Sequence, residues 1–267
     1  MTSTPLLSRV RAEILPLIRL SVPLMIGLFA ATAIWVVDTV MIAPLGTVPL
    51  AAAGITAAVL IILISALWGL VTVVGVQIAT ADGAGNPAEV SAITRNGLAL
   101  ALFGGGTGAA LMIAVLPLLG PIGQPQQVVD IVGPYWVAMA VWIIPFTMFF
   151  VLKGLFDATG RAWVGVALSY LAVLVNVPAN YSFIHILDLG ILGAGLASIL
   201  SQTTALIAAL IYWRIAPSMA PYRAPSRIRR ARVMAQAREG LPLCIGYAGE
   251  GGAYAFIGIM IGWLGAT

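Results

Sequence analysis

Long apolar stretches without any charge alternate with short polar segments along this chain. Each stretch is close to the roughly 20 residues that an α-helix needs to cross the hydrocarbon core of a bilayer. The polar segments include 82–87 and 120–125, which are rich in the Gly, Pro and Asn residues that are typical of helix ends. The pattern predicts seven membrane-spanning helices, at about 20–43, 49–79, 97–119, 131–152, 162–187, 190–213 and 241–265.

Composition narrows the class of protein further. Hydrophobic residues make up 61% of the 267 residues and charged residues only 8%, whereas roughly 25% of a soluble domain is charged. This excludes an ordinary water-soluble enzyme. No span brings a nucleophile, a base and an orienting group together, so we expect no catalytic activity. The lone His185 and the lone Cys244 offer no ligand cluster, and we expect no cofactor.

The thirteen Lys and Arg residues lie near the start of the first predicted helix or around every second loop. The first, third and fifth loops have none, and the densest cluster fills the segment before the seventh helix. Because positive residues in short loops stay in the cytoplasm, this asymmetry predicts a cytoplasmic N-terminus and a cytoplasmic segment 214–240. The basic residues are not interleaved with exposed aromatic ones, so nucleic acid is not an expected partner.

Helix 7 repeats features of helix 1. An even number of helices per repeat means that both copies enter the membrane in the same direction, related by an axis along the membrane normal. Two complete repeats need about twice the length of one, so we expect this chain to be a fragment, a truncated product or a half-length gene of a two-lobe protein. A shift of 219 residues gives identities that include Arg19 with Arg238, Pro23 with Pro242, Ile26 with Ile245, Gly27 with Gly246, Met41 with Met260, Leu45 with Leu264, and Gly46 with Gly265.

Two carboxylic acids fall inside the predicted spans, Asp38 in helix 1 and Glu250 in helix 7. A charged carboxylate at the centre of a membrane helix costs about 2.5–3.5 kcal/mol even on the lenient insertion scale, so such residues are candidates for function. A group of this kind can take up and release a proton or bind Na⁺. The alternative for Asp38 is a solvated position near the outer interface. Around Glu250, three glycines could admit water, an ion or a closely packed helix.

Asn176 and Asn180 stand four residues apart in helix 5 and so share one face, with Pro178 between them loosening the backbone. Amides on one face can ligate a cation or hydrogen-bond a carboxylate across the bundle. The alternative is a structural role in holding helices together. Because amide donors would offset the cost of burying a charge, we expect Asp38 to face the bundle interior beside Asn176 or Asn180.

Five features, in this order along the chain, carry a resemblance to a known family. They are segments 19–23 and 37–41 of helix 1, the segment 153–161 that ends in Thr-Gly-Arg, the paired-Asn segment 176–181, the small-residue segment 193–198, and 249–250 with 264–266 in helix 7. Together they resemble the multidrug and toxic compound extrusion (MATE) transporters, especially the bacterial NorM-like branch.

The resemblance implies an all-α integral membrane fold of twelve helices in two lobes. Residues 1–213 would form the first lobe, 214–240 the basic loop between lobes, and 241–267 the first helix of the second. It further implies a secondary antiporter of the bacterial inner membrane that exports drugs or organic cations in exchange for H⁺ or Na⁺. Asp38, Asn176 and Asn180 would belong to the ion or proton site of the first lobe, and Glu250 to that of the second.

Two other functions stay open at this point. A flippase for a lipid-linked or polysaccharide precursor, from a related superfamily, would favour a cationic cavity, whereas the predicted spans have no Lys or Arg inside. A non-transporting fragment is the third possibility. For a transporter, the expected partners are small organic and mostly cationic substrates, the bilayer, and the missing second lobe or another half-length chain.

Overall fold

A computed structural model describes the backbone of residues 6–264 and the side chains of residues 21–253, apart from Leu24, Leu28 and Ala31. Within this range the chain forms seven long α-helices and no strand. The helices are α1 (Leu6–Ile42), α2 (Thr47–Gly83), α3 (Pro87–Val115), α4 (Gln126–Ala158), α5 (Ala162–Tyr181), α6 (Gly190–Ile215) and α7 (Arg230–Leu264). Short 3₁₀ helices lie at Ala43–Leu45, Leu116–Leu118 and Pro217–Arg223, and a π turn lies at Ser182–Ile186.

All seven predicted helices are present, but the predicted starts of three of them are wrong. α1 begins at Leu6 rather than near residue 20, α3 at Pro87 rather than near residue 97, and α7 at Arg230 rather than near residue 241. The predicted helix starts were placed where charged residues mark the edge of the hydrocarbon. Arg, Ala, Leu and Glu are, however, good helix formers in water as well. The helices therefore continue past the membrane surface, and the predicted loop at 214–240 is helical from Arg230 onward.

Six helices in the described part of the chain, α1 to α6, are long and apolar enough to cross a membrane. The predicted seventh span, 241–265, lies partly outside the described residues, and its passage across the membrane stays a prediction. Short connections join the six helices, so successive helices run in alternating directions and the protein is a multi-pass membrane protein. One end of the bundle, named here the basic end, carries Arg95, Arg161 and the connection 216–229. The opposite end carries the connections 43–46, 116–125 and 182–189, which contain no Lys or Arg.

α4 is the central helix of the bundle and packs against α2, α3 and α6. Trp136 and Ile143 on α4 belong to an apolar cluster toward the opposite end, and Leu152 and Phe156 belong to a second cluster toward the basic end. All four side chains are fully buried. The indole N–H of Trp136 donates to the carbonyl oxygen of Met112 at 2.7 Å, so this buried donor is satisfied.

α7 lies along α2 in close backbone contact. A Cβ atom on Gly69 of α2 would lie 2.6 Å from the carbonyl carbon of Leu243, and one on Gly240 of α7 would collide with the backbone of Leu70. Small residues let helix backbones approach closely enough for van der Waals packing to hold them together in lipid. Of the residues matched between helices 1 and 7, Arg19, Met260, Leu264 and Gly265 lie outside the residues whose side chains are described.

Candidate ion site

Asp38 lies one turn before the end of α1 and points into the bundle. Its side chain is only 8% exposed. The alternative of a solvated position at the interface is therefore wrong for this carboxylate. Near this site α6 packs closely against α4 because small residues line the inner face of α6. A Cβ atom on Gly195 of α6 would lie 2.7 Å from the Cβ atom of Ala138 on α4.

Three side chains donate hydrogen bonds to the Asp38 carboxylate. Asp38 Oδ1 accepts from Nδ2 of Asn180 at 2.7 Å and from Nδ2 of Asn176 at 3.2 Å. Asp38 Oδ2 accepts from the hydroxyl of Ser198 on α6 at 3.0 Å. The second N–H of Asn180 donates to Oδ1 of Asn176 at 3.0 Å. The prediction that Asp38 faces the bundle interior beside Asn176 or Asn180 is confirmed, and Asp38 contacts both asparagines. The site joins α1, α5 and α6.

Among the described residues, no basic side chain balances this carboxylate. The ion pairs among the described residues are Lys153 with Asp157 and Arg232 with Glu89, and neither involves Asp38. Neutral N–H and O–H donors lower the cost of burying the charge without cancelling it. A proton or a small cation is needed to make the site neutral, and carboxylate, amide and hydroxyl oxygens are the atoms that hard cations prefer.

Two further polar atoms near this site are left without a hydrogen-bond partner in the described part of the chain. Oδ1 of Asn180 is buried and accepts no hydrogen bond, and Nε2 of Gln202 is buried and donates none. Gln202 lies four residues after Ser198 on the same face of α6 and is 5% exposed. Unsatisfied buried polar atoms are rare in folded proteins and call for an explanation such as an ion or a water molecule.

Sequence reasoning did not identify Ser198 as a member of the site. Ser198 stood inside the small-residue segment 193–198 without a role of its own. Tyr135 on α4 packs beside this segment: its side chain is 5% exposed, and a Cβ atom on Gly195 would lie 3.2 Å from its ring. The spacing of Gly195, Ser198 and Gln202 at three and four residues is the signal that places them on one inward face.

Glu250 stands apart from the other predicted site residues. It is exposed on α7, and it makes no hydrogen bond or ion pair with any residue that the structure describes. α7 packs mainly on α2, with a smaller contact to α3, whereas Asp38 faces α5 and α6. The structure therefore brings Asp38, Asn176 and Asn180 together and leaves Glu250 on an open surface.

A buried carboxylate inside a multi-pass helical bundle, without a basic partner among the described residues, is typical of ion and proton pathways in membrane proteins. A sequence model of the MatE family matches residues 23–182, and the chain belongs to this family. The predicted family and the predicted fold are both confirmed.

Relatives and solved structures agree with this assignment. The chain is 33% identical to a probable multidrug resistance protein NorM of Pseudomonas aeruginosa, over 95% of this chain and 53% of the relative. It is 31% identical to a protein of the same description from a Synechococcus species, over 97% of this chain and 57% of the relative. The chain thus spans about half the length of the curated relatives it matches.

The fold is also that of MATE transporters of known structure. A crystal structure of a eukaryotic MATE transporter matches with a TM-score of 0.85 at 18% identity, over 92% of this chain and 55% of the other. An outward-facing structure of a MATE family transporter of the MOP superfamily matches with a TM-score of 0.76 at 24% identity, over 86% of this chain and 52% of the other. Each match covers about half of the larger protein.

Proposed function

We propose that this chain supplies the first lobe of a secondary antiporter that exports drugs or organic cations in exchange for H⁺ or Na⁺, with Asp38, Asn176 and Asn180 as its coupling site. The observation that carries the proposal is the Asp38 carboxylate, which is buried, held by three neutral donors and paired with no basic residue in the described part of the chain. The multidrug resistance descriptions of the NorM relatives support the substrate class.

Binding of a proton changes the hydrogen bonds of this site unequally. A protonated carboxyl oxygen donates, so the donor that faces it must turn away or become an acceptor. The hydroxyl of Ser198 can reverse its role at Asp38 Oδ2, whereas the amide N–H groups of Asn176 and Asn180 cannot do so at Oδ1. We therefore place the proton on Oδ2, where it leaves the amide bonds intact and changes the link between α1 and α6.

Sodium would use the same oxygen atoms in another way. Na⁺ needs several oxygen ligands, and the candidates are the Asp38 carboxylate, the unpartnered Oδ1 of Asn180 and the hydroxyl of Ser198. Since one charge neutralises the carboxylate in either case, H⁺ and Na⁺ compete for the site. Such a ligand shifts the balance between inward-open and outward-open states only as far as it binds one state more tightly.

The second lobe enters this proposal as a partner. Glu250 on the exposed surface of α7 would serve the second-lobe site, and helices from the same longer chain or from another half-length chain would cover it.

We place the protein in the bacterial inner membrane, with the N-terminus and the basic end in the cytoplasm, because short loops rich in Lys and Arg are retained there. Substrate would then bind between the two lobes.

Binding of radioactive ²²Na⁺ to the purified chain tests the coupling site directly. We expect saturable binding that weakens as the pH is lowered and is lost in Asp38→Asn, because the neutral amide has nearly the same shape and carries no charge. Asp130→Asn is the matched control, since Asp130 is an exposed aspartate at the opposite end. Binding of ²²Na⁺ that persists unchanged in Asp38→Asn would remove Asp38 from the sodium site.

Ethidium efflux from energised vesicles tests the transport function. At matched expression of a protein that contains both lobes, we expect Asp38→Asn to abolish gradient-dependent efflux and Asp130→Asn to leave it unchanged. Imposing a proton gradient and a Na⁺ gradient in turn identifies the coupling ion. Undiminished efflux by the Asp38→Asn protein would transfer the coupling role to Glu250 or to the second lobe.

A further inference from the structure

The connection between α6 and α7 is fastened to α3 by two fully buried polar side chains. Ser91 Oγ donates to the carbonyl oxygen of Ala224 at 2.7 Å, and Asn96 Oδ1 accepts from the backbone N–H of Arg229 at 2.9 Å. Ser91 and Asn96 are both 0% exposed. These anchors hold both ends of the segment 224–229, so the arginines along it start from fixed backbone positions.

A cavity of about 330 Å³ lies between this segment, α3 and the start of α7. We name it the arginine pocket, and its lining residues are Ala92, Pro225, Ser226, Arg227, Arg229 and Arg232. Three guanidinium groups and no carboxylate line it. The outer neighbour Glu89 pairs with Arg232 at 2.7 Å. Arg227 and Arg229 have no carboxylate partner among the described residues, so the pocket keeps an excess of positive charge.

The pocket also contains a neutral hydrogen-bond donor that has no acceptor among the described residues. The hydroxyl of Ser226 is buried and has no hydrogen-bond partner in the described part of the chain. α7 begins at Arg230, and the dipole of the helix places a partial positive charge at this point. A ligand with several acceptor oxygens and a negative charge matches all of these groups.

We propose that the arginine pocket binds a phosphate group, supplied by the headgroup of an anionic phospholipid. The planar guanidinium fork matches phosphate oxygens in geometry and charge. The pocket lies at the basic end, where the helices leave the hydrocarbon, and basic pockets between helices at this depth meet lipid headgroups. A bound headgroup holds the segment that joins α6 to α7 against the membrane surface. A free phosphate offers the same chemistry from solution.

Calorimetric titration of the full chain in uncharged detergent tests the pocket and separates the two sources. The ligands are dioctanoyl phosphatidylglycerol, dioctanoyl phosphatidylcholine and inorganic phosphate. The test variant is Arg227→Gln with Arg229→Gln, which keeps the backbone bond from residue 229 to Asn96. The matched control is Arg214→Gln with Arg238→Gln, which removes the same charge from exposed arginines outside the pocket.

We expect phosphatidylglycerol to bind the natural chain and the control variant equally, and the test variant roughly ten-fold or more weakly, since each basic residue near a membrane surface contributes about a factor of five. Ser226→Ala, which changes no charge, should weaken binding several-fold and serves as a second test if the double variant does not fold.

Inorganic phosphate that binds as tightly as phosphatidylglycerol, and is weakened by the same substitutions, would support a phosphate site and assign it to a soluble ligand. Equal binding by all variants, or equal losses in the test and control variants, would overturn the proposal.

Discussion

Ser198 and Ser201 lie on the same turn of α6, and both side chains are buried. Their hydroxyl groups have different acceptors: Ser198 donates to the Asp38 carboxylate and Ser201 to the backbone carbonyl of Ser198, each at 3.0 Å. A hydrogen bond to a charged group contributes about 1.5–3 kcal/mol and a neutral one about 0.5–1.5 kcal/mol. Comparing substitutions of the two serines therefore distinguishes the stability that depends on the Asp38 charge from the stability that comes from ordinary helix packing.

A double-mutant cycle on these serines is the first prediction. Ser198→Ala and Ser201→Ala are each combined with Asp38→Asn, and the free energy of unfolding is measured in detergent. We expect a coupling energy of about 1–2 kcal/mol between Ser198 and Asp38 and a value near zero between Ser201 and Asp38. Equal coupling for the two serines would show that the Ser198 hydroxyl does not act through the carboxylate.

The sequence indicated part of this site and missed the rest for a physical reason. A carboxylate or an asparagine buried in a membrane helix needs a partner, so the sequence alone was enough to associate Asp38 with Asn176 and Asn180. A hydroxyl can satisfy itself by donating to the carbonyl four residues earlier, as Thr56 and Thr147 do. The presence of Ser198 in a helix therefore did not indicate a partner, and the role of the site in coupling stays a prediction.

Among the helices, the contact of α2 with α7 depends on glycine. Gly240 is buried against Leu70, whereas a Cβ atom on Gly246 of the same helix would meet nothing within 4 Å. We expect Gly240→Ala to lower the melting temperature, because overpacking typically costs about 1–3 kcal/mol. Gly246→Ala should leave it unchanged or raise it, since Ala is favoured over Gly in a helix by up to about 1 kcal/mol. Equal effects of the two substitutions would contradict a tight helix pair.

A hydrogen bond ties the 3₁₀ helix before α7 to the end of α2. Tyr222 Oη donates to Asp82 Oδ1 at 2.7 Å. This bond to Asp82, together with partial burial, raises the pKa of Tyr222 above its ordinary value. Because the folded pKa exceeds the unfolded one, the stability from this group is fully present below a pH of about 10 and is lost as the pH rises through the folded pKa.

Thermal unfolding as a function of pH checks this expectation. The natural chain should be more stable than Tyr222→Phe at pH 8, and the difference should shrink as the pH is raised beyond 10. Asp82→Asn should remove most of the pH dependence of the difference, because the amide at residue 82 carries no charge. A difference that stays constant up to pH 12 would contradict the assigned hydrogen bond.

For the molecule as a whole, the distribution of basic residues predicts an orientation that can be tested. We expect a cysteine at Gln126 to react in intact cells with an impermeant external reagent and a cysteine at Arg227 not to react, in a background where Cys244 is replaced by Ser. Both positions are exposed at or near helix starts, so accessibility within the protein does not bias the result. Labelling of residue 227 but not of residue 126 would reverse the topology.

At this scale the sequence predicted the number of helices, their alternation and the membrane class, because hydrophobic length and charge asymmetry are coded locally. It did not predict that α4 is central or that α7 packs on α2. Lipid tails are as apolar as Leu, so an apolar side chain does not reveal whether it faces lipid or another helix. Partner choice depends instead on where small residues such as Gly69 and Gly240 meet, which a single sequence does not show.

The glycine contact between α2 and α7 has a consequence for biogenesis. The segment 241–253 contains Glu250 and four glycines, so it partitions into lipid less readily than the leucine-rich spans before it. α2 leaves the ribosome long before α7, and Gly69 leaves room for the backbone of Leu243 on α7. We therefore expect insertion of α7 to be assisted by its contact with α2 of the same chain.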